Sequence, residues 1–476
     1  MLVHLRKQGK TLYIDYRETA PAKATPDMFK ADADGEAVNL ENSMGYKAVG
    51  VPGSIAGLTH AIEKYGNLNF KDVASHAVEY ARKGFAISKI LAYIMANNVD
   101  NSFEKFRRFR ETGKLWLKDG RPCRAGEMKT SKDFASALEK VCREGAGAFY
   151  HGELGESLVE DMAKNGGLGS SSDLSNYEIA EREPVTGTYR EYEVVAMPPP
   201  SLGGTAIIQL LNLFENLDLK GMGHNRPGTI ATMAKALGLV YANLRKSIAD
   251  PAFVEVAVEK LTSKNFARKL WFGEGERGSA QDSTRKNWTT HMSVVDKERN
   301  VAAITESLEC FFGSGVTIPG TGICLNDTMH DFDTQQGGIN SIAPGKRPVS
   351  NMTPTLLLKD GEPILVAGSA GGPRIVTATL QTILNVVEHG MDVQEAVDAP
   401  RIHYQGTGAI RIESRIPRSV RTKLEGMSYS TQVPNYAQLT PGYDLYFGGV
   451  HAVLAGKKGE LRGGADKRRQ GHVAAY

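Results

Sequence analysis

Residues 287–296 read NWTTHMSVVD. A bulky Trp288 is followed by two threonines, a histidine and an apolar alternation with the two-residue period of a β-strand. A polar turn, KERN at 297–300, comes next, and Val301 to Leu308 alternates again, so 289–308 reads as a β-hairpin. Antiparallel pairing centred in that turn sets residues whose numbers sum to about 597 opposite one another, to within about one residue. Thr289 then lies beside Ser307, Leu308 and Glu309. β-Branched residues suit strands, so a threonine doublet by itself says little. A threonine hydroxyl becomes a nucleophile when a nearby base takes its proton, and its own α-amine is such a base once the chain is cut before it. That amine would titrate near about 8.

Upstream of the hairpin, SKNFARKLWFGEGERGSAQDSTRKN (263–287) is the least core-like part of the chain and reads as an exposed connection. The first half is helix-rich, with helical apolar spacing over 54–65 (Ser54 as the cap), 69–82, 131–143 and 156–164. After Pro184 the pattern changes to strand, then to MPPPSLGG, a rigid proline run followed by a flexible Gly203-Gly204. Helices are expected over 205–214, buried all round, and 228–246. The N-terminus reads as a strand, a turn at Gln8-Gly9-Lys10 and a second strand. Downstream of the opening hairpin, LLLKDGEPILVAG is a second hairpin around Asp360-Gly361. It leads into Gly371-Gly372-Pro373, with Pro373 at the first position of a long amphipathic helix.

Three features could carry chemistry. The first is the threonine doublet. The second is Gly371-Gly372, whose backbone N–H groups at a helix start can approach an oxyanion closely. The third is DYRETAP, where Arg17 flanked by Asp15 and Glu18 could turn its remaining donors to a substrate carboxylate.

Composition narrows the class. A chain of 476 residues, 41% hydrophobic and 23% charged, has enough apolar content to bury a sizeable core. The 51 glycines imply many tight turns. A net charge of +3 without a basic stripe gives no case for nucleic acid. No apolar run is long enough to span a membrane. Cys123, Cys142, Cys310 and Cys324 show no metal-ligand spacing.

Together these residues resemble the γ-glutamyltranspeptidase, or glutathione hydrolase, family. The likeness runs through TTHMSVVDKERNVAAITESLECFFGSGV, GICLNDTMHDF, GKRPVSNMTPTLLL, GSAGGPRI and DAPRIHYQ. It continues upstream through YIDYRETAPAKATPDMF, AVGVPGSIAGL, VTGTYREYEV and MPPPSLGG. The resemblance implies an α+β fold, the four-layer αββα sandwich of the N-terminal-nucleophile hydrolases. It implies a precursor that cuts itself between Trp288 and Thr289 into a large subunit, 1–288, and a small subunit, 289–476, intertwined as one heterodimeric unit. Thr289 is the expected nucleophile, with its freed amine as base, and Ser307 the hydroxyl bonded to it. Gly371 and Gly372 match the oxyanion hole. Arg17 and Ser350 match groups that grip the α-carboxylate of a γ-glutamyl donor, and Asp331 the acid for its α-amine. The implied reaction cleaves the γ-glutamyl amide of glutathione and passes the group to water, an amino acid or a dipeptide. No metal or organic cofactor is implied. Relatives are mostly periplasmic, secreted or cell-surface proteins.

The chain departs from the family pattern in several places. Glu309 stands where an asparagine usually meets the α-amine, and Thr328 where glutamine or glutamate does. Asn351 replaces the second of two serines that bind the α-carboxylate. Altered donor recognition, with an extra negative charge near the amine, is therefore expected, and a related acylase specificity is the competing outcome. The loop DTQQGGINSIAPGKRP (333–348) is short, which implies an open site. The beginning at Met1-Leu2-Val3, in what should be an interior strand, implies an incomplete copy lacking an upstream portion. The other reading of that beginning is an inactive relative. His291 alternates to the face of Thr289 but is assigned no catalytic role.

Overall fold

Alternating apolar residues build two antiparallel sheets in the computed structural model, which describes residues 1–32, 35–273, 288–456 and 459–476. The strands, in chain order, are β1 (Leu2–Leu5), β2 (Lys10–Asp15), β3 (Ala180–Arg182), β4 (Val185–Tyr189), β5 (Tyr192–Ala196), β6 (Trp288–Val295), β7 (Val301–Glu309), β8 (Thr355–Lys359), β9 (Glu362–Ala370), β10 (Gly449–Ala455) and β11 (Leu461–Ala465). One sheet runs β6–β7–β1–β2–β3, the other β11–β10–β9–β8–β5–β4. The chain divides into two units. The first is Met1–Tyr13, Glu181–Glu306 and Val349–Tyr476; the second is Ile14–Ala180 and Ser307–Pro348.

In the first unit the two sheets face each other across a shared apolar layer. Leu2, Tyr13, Val301 and Ala303 of one sheet meet Val195, Leu356, Leu358 and Val366 of the other. The opposite face of the six-stranded sheet, with Leu357, Leu365 and Ala367, is covered by the helices Gly203–Phe214, Pro227–Leu244 and Arg374–Val387. Burial on both faces explains why β8 reads as a continuous apolar run rather than an alternation. Every residue of Gly203–Phe214 is buried, as its composition predicts.

Gly203 and Gly204 are not a flexible joint as expected. A Cβ at Gly203 would lie 2.3 Å from the Met352 carbonyl oxygen, and one at Gly204 2.1 Å from that of Met197. Close backbone approach requires glycine at both positions.

The opening hairpin forms as expected. His291 bonds Thr305 across it, and Asp296 N donates to Asn300 O, so facing residues sum to 596, within a residue of the expected register. The second hairpin turns at Asp360 and Gly361, both at positive φ (53° and 77°).

The stretch after Ser263 differs from expectation. Lys264–Phe272 is a helix capped by Ser263, and Ala267 and Leu270 are buried in the core. The remainder of the proposed connection, 274–287, lies outside the described residues.

The second unit is mainly helical. Val141, Phe149, Leu154, Leu158 and Met162 pack with Val49, Val51, Ile318 and Leu325. Its helices include Ser54–Tyr65, Phe70–Lys83, Lys132–Glu144 and Glu153–Lys164, the last starting about a turn earlier than expected. Gly53, not Ser54, holds the cap position of the first, and Ser54 is already helical. Among the described residues no helix is long and apolar enough to cross a membrane.

Candidate active site

The expected site residues fall into two groups, one in each unit. In the first unit, Thr289 is the second residue of β6, half-buried, on the same strand face as His291. The other face, Thr290, Met292 and Val294, is exposed. Trp288 breaks that alternation. It is buried because Tyr436 stacks on it at 5.9 Å and the Arg469 guanidinium covers its ring at 4.2 Å. Arg469 Nη2 donates to Leu445 O at 3.5 Å, and its neighbour Arg468, fully buried, binds Glu413 at 2.7 Å and Asp466 at 3.1 Å.

The same Arg469 reaches Gly371. A Cβ on Gly371 would sit 3.1 Å from its Nη2 and 3.0 Å from Gly448 Cα. Gly371 (φ 131°) and Gly372 (φ 57°) have backbone conformations that favour glycine. Their carbonyls accept from Arg374 N at 3.2 Å and Ile375 N at 2.9 Å, which makes them the opening of the following helix. N–H groups at a helix start have no intrahelical acceptor and favour negative charge. Pro373 occupies the cap position itself, one residue before the first helical residue.

Ser350 is fixed by the proline-rich segment. Leu202 N donates to Ser350 O at 2.9 Å, and Ser201 Oγ donates to Ser350 O and to Met352 O. Ser350 Oγ accepts from Met352 N at 3.0 Å, so its own proton can still be donated. Asn351 follows it in the same clamped stretch.

His291 is engaged at both ring nitrogens. Its Nδ1 meets Thr305 Oγ1 at 2.7 Å and its Nε2 meets Ser293 Oγ at 3.0 Å. The ring lies against Gly368 of the facing sheet, where a Cβ would be 2.2 Å away. Burial first, then His451, push its pKa down to about 3, so it is neutral with both nitrogens engaged.

In the second unit, Arg17, Glu309 and Asp331 form one buried cluster. The Arg17 guanidinium pairs with Asp331, donates through Nε to Pro348 O at 3.2 Å, and lies 3.7 Å from Glu18. Asp15 was expected to hold the guanidinium. Its Oδ1 accepts from the Arg17 backbone N instead, and its Oδ2 lies 3.7 Å from Arg347. Burial lowers the Arg17 pKa, but Asp331, Glu18 and Glu309 outweigh it and the net shift is upward.

Glu309 ends β7 at φ 82°, a conformation uncommon outside glycine, with its N–H donating to Ser307 Oγ at 2.9 Å. The residue is 5% exposed. Burial, then repulsion from Asp331, raise its pKa well above the ordinary range, with Arg17 opposing. Oε1 of Glu309 accepts no hydrogen bond among the described residues.

Asp331 closes a short 3₁₀ turn, Thr328–Asp331, whose first residue is buried and bonded through its N to Asn326 Oδ1 at 3.1 Å. The loop 333–348 folds on itself, with Lys346 Nζ bonded to Ile339 O and Ser341 O.

Sequence reading missed Trp288's burial partners, Tyr436 and Arg469, and the carboxylate that holds Arg17. It also missed the convergence of Cys310, Asp327 and His330.

The gamma-glutamyltranspeptidase family model matches residues 1–476. The chain is 35% identical to a glutathione hydrolase proenzyme of Escherichia coli (strain K12), covering 97% of this chain and 81% of that protein. It is 35% identical to an acylase ACY 1 proenzyme of Pseudomonas sp. (strain V22), covering 100% and 84%. Its structure is similar to the crystal structure of a cephalosporin acylase from Bacillus halodurans, with a TM-score of 0.84, 25% identity, and 100% and 86% coverage.

Proposed function

Because this chain belongs to the γ-glutamyltranspeptidase family and has its four-layer αββα fold, we propose that it is a self-processing γ-glutamyl hydrolase and transferase. The observation that carries the donor class is the cluster of Arg17, Asp331 and Glu309, which holds a buried cation, a buried anion and an unpartnered buried carboxyl oxygen. Such a set suits the two charged ends of a free α-amino acid. Arg17 and Ser350 receive the α-carboxylate, and Asp331 with Glu309 receives the α-ammonium. Thr328 and Asn351 complete the two ends.

Processing begins when Thr289 Oγ attacks the Trp288 carbonyl carbon. The C–N bond breaks, the acyl group moves to oxygen, and water hydrolyses the ester. Two subunits result, 1–288 and 289–476, paired as a heterodimer, with a free amine on Thr289. In turnover that amine takes the hydroxyl proton while Thr289 Oγ attacks the donor's γ-carbonyl. Gly371 and Gly372 N–H groups stabilise the oxyanion, and Ser307 orients the nucleophile. The leaving amine departs with a proton, cysteinylglycine in the case of glutathione. Water or an amino acid or dipeptide acceptor then takes the glutamyl group.

A glutaryl-type acylase is the second reading, favoured by the replacements at Glu309, Thr328 and Asn351 and by an Arg17–Asp331 pair that satisfies Asp331 without an amine. Steady-state kinetics on γ-glutamyl and glutaryl p-nitroanilides separate the two. The proposal expects the γ-glutamyl compound to be preferred; a strong glutaryl preference would overturn it.

A further inference from the structure

Cys310, Asp327 and His330 converge in the second unit, with one ligand atom from each within 4.8 Å of the others. Cys310 Sγ is 3.9 Å from His330 Nδ1. Cys310 N donates to Asp327 Oδ1 at 2.9 Å, which fixes the carboxylate. The remaining oxygen, Oδ2, belongs to a fully buried residue and accepts no hydrogen bond among the described residues. Lys105 and His330 already favour the charge on Asp327, but a buried carboxylate oxygen without a hydrogen bond is still costly, and a cation would satisfy it. His330 turns its other nitrogen, Nε2, toward Glu36 Oε2 at 3.9 Å. A carboxylate behind the imidazole is the usual support for a metal-ligating histidine. The Lys105 ammonium acts on both Asp327 and Cys310. That ammonium is bonded to the carbonyls of Phe311 and Gly313.

We propose that Cys310, Asp327 and His330 bind a divalent ion of the zinc class, with a fourth position open to water. A thiolate and an imidazole select zinc-like ions over calcium or magnesium, which take oxygen ligands. Bond lengths of about 2.0–2.3 Å set tetrahedral ligand atoms about 3.5 Å apart, so closing the present arrangement takes movements of about an ångström. Cys310 is partly exposed, which leaves a route in. On binding, the thiol's S–H bond breaks, its proton passes to water, and a sulfur–metal bond forms. The ion would lie one residue along the chain from both Glu309 and Asp331, but its binding does not depend on the assignment of Thr289 or of the donor.

The test uses the untagged full-length chain, stripped with a chelator and titrated with cobalt(II). Expected are one equivalent bound, a sulfur-to-cobalt charge-transfer band, and displacement by zinc. Cys310→Ser should abolish that band, and His330→Gln should weaken binding at least about tenfold. Cys324→Ser should leave the spectrum unchanged. Circular dichroism verifies folding; should Cys310→Ser fail to fold, Glu36→Gln serves, with about tenfold weaker binding and the band retained. No thiolate band in the wild-type chain, a band surviving Cys310→Ser, or undiminished affinity in both His330→Gln and Glu36→Gln would overturn the proposal.

Discussion

Arg17 and Asp331 form an ion pair that is almost wholly buried, their side chains 5% and 9% exposed. In the proposed reaction these two groups hold opposite ends of the donor, so binding exchanges one pair for two. A donor with both an α-carboxylate and an α-ammonium supplies both new partners. One lacking the ammonium leaves Asp331 competing with the substrate for the same guanidinium.

Asp331→Asn should therefore lower kcat/KM for γ-glutamyl p-nitroanilide by about 10²–10³-fold, the usual scale for removing one partner of a buried charge pair. The glutaryl analogue should keep or gain kcat/KM, because the anion that competes with it for Arg17 is removed. Equal losses on both would deny Asp331 its role at the amine.

Glu309 gives a pH signature. Its folded-state pKa is raised, so its stabilising contribution is present below the unfolded value near 4.5 and is lost as pH rises through the folded pKa. Glu309→Gln removes that loss. Thermal midpoints should show the variant more stable than the parent at about pH 8, with the difference vanishing toward about pH 4.5. A gap that widens on acidification would contradict the assignment.

His291 carries the opposite sign. Its folded pKa is depressed from 6.5 to about 3, so its contribution is present above the unfolded value and is lost as pH falls through that window. In His291→Gln the acid sensitivity of the thermal midpoint should diminish between about pH 6.5 and pH 4. Cleavage before Thr289 should persist, because both ring nitrogens are already engaged by Thr305 and Ser293. An uncut His291→Gln chain that nonetheless folds would give the imidazole a chemical role.

Gly371→Ala places a methyl 3.0 Å from Gly448 Cα and 3.1 Å from Arg469 Nη2, at a φ of 131°. The backbone must shift where the oxyanion is proposed to sit. A fall in kcat of about 10²–10³-fold is expected, matching the loss of one oxyanion donor. Unchanged kcat would remove Gly371 from that role.

The elements nearest Thr289 were legible because their pattern is local. Alternation around a polar turn places the 288–309 hairpin, and a strand-to-glycine-to-helix transition places Gly371. What could not be read depends on distant partners. Arg17 meets a carboxylate 314 positions away, and nothing beside Arg17 marks which acid it will find. Arg469 covers Trp288 from 181 positions away, beside an Arg468 pinned by Glu413 and Asp466, contacts spread over segments without period. Lys264–Phe272 looked like a linker because only one face of that short helix is apolar. Gly203 and Gly204 looked like a hinge because sequence cannot distinguish a glycine chosen for freedom from one chosen for lack of room.

Thr289 is proposed to be a nucleophile released by cleavage of its own peptide bond. Intact mass measured under denaturing conditions on the expressed chain, alongside Thr289→Ala, tests it most directly. Two fragments, residues 1–288 and 289–476, are expected from the parent and a single uncut mass from the variant. A folded parent chain that stays whole, or a variant that is cut at the same bond, would contradict the account.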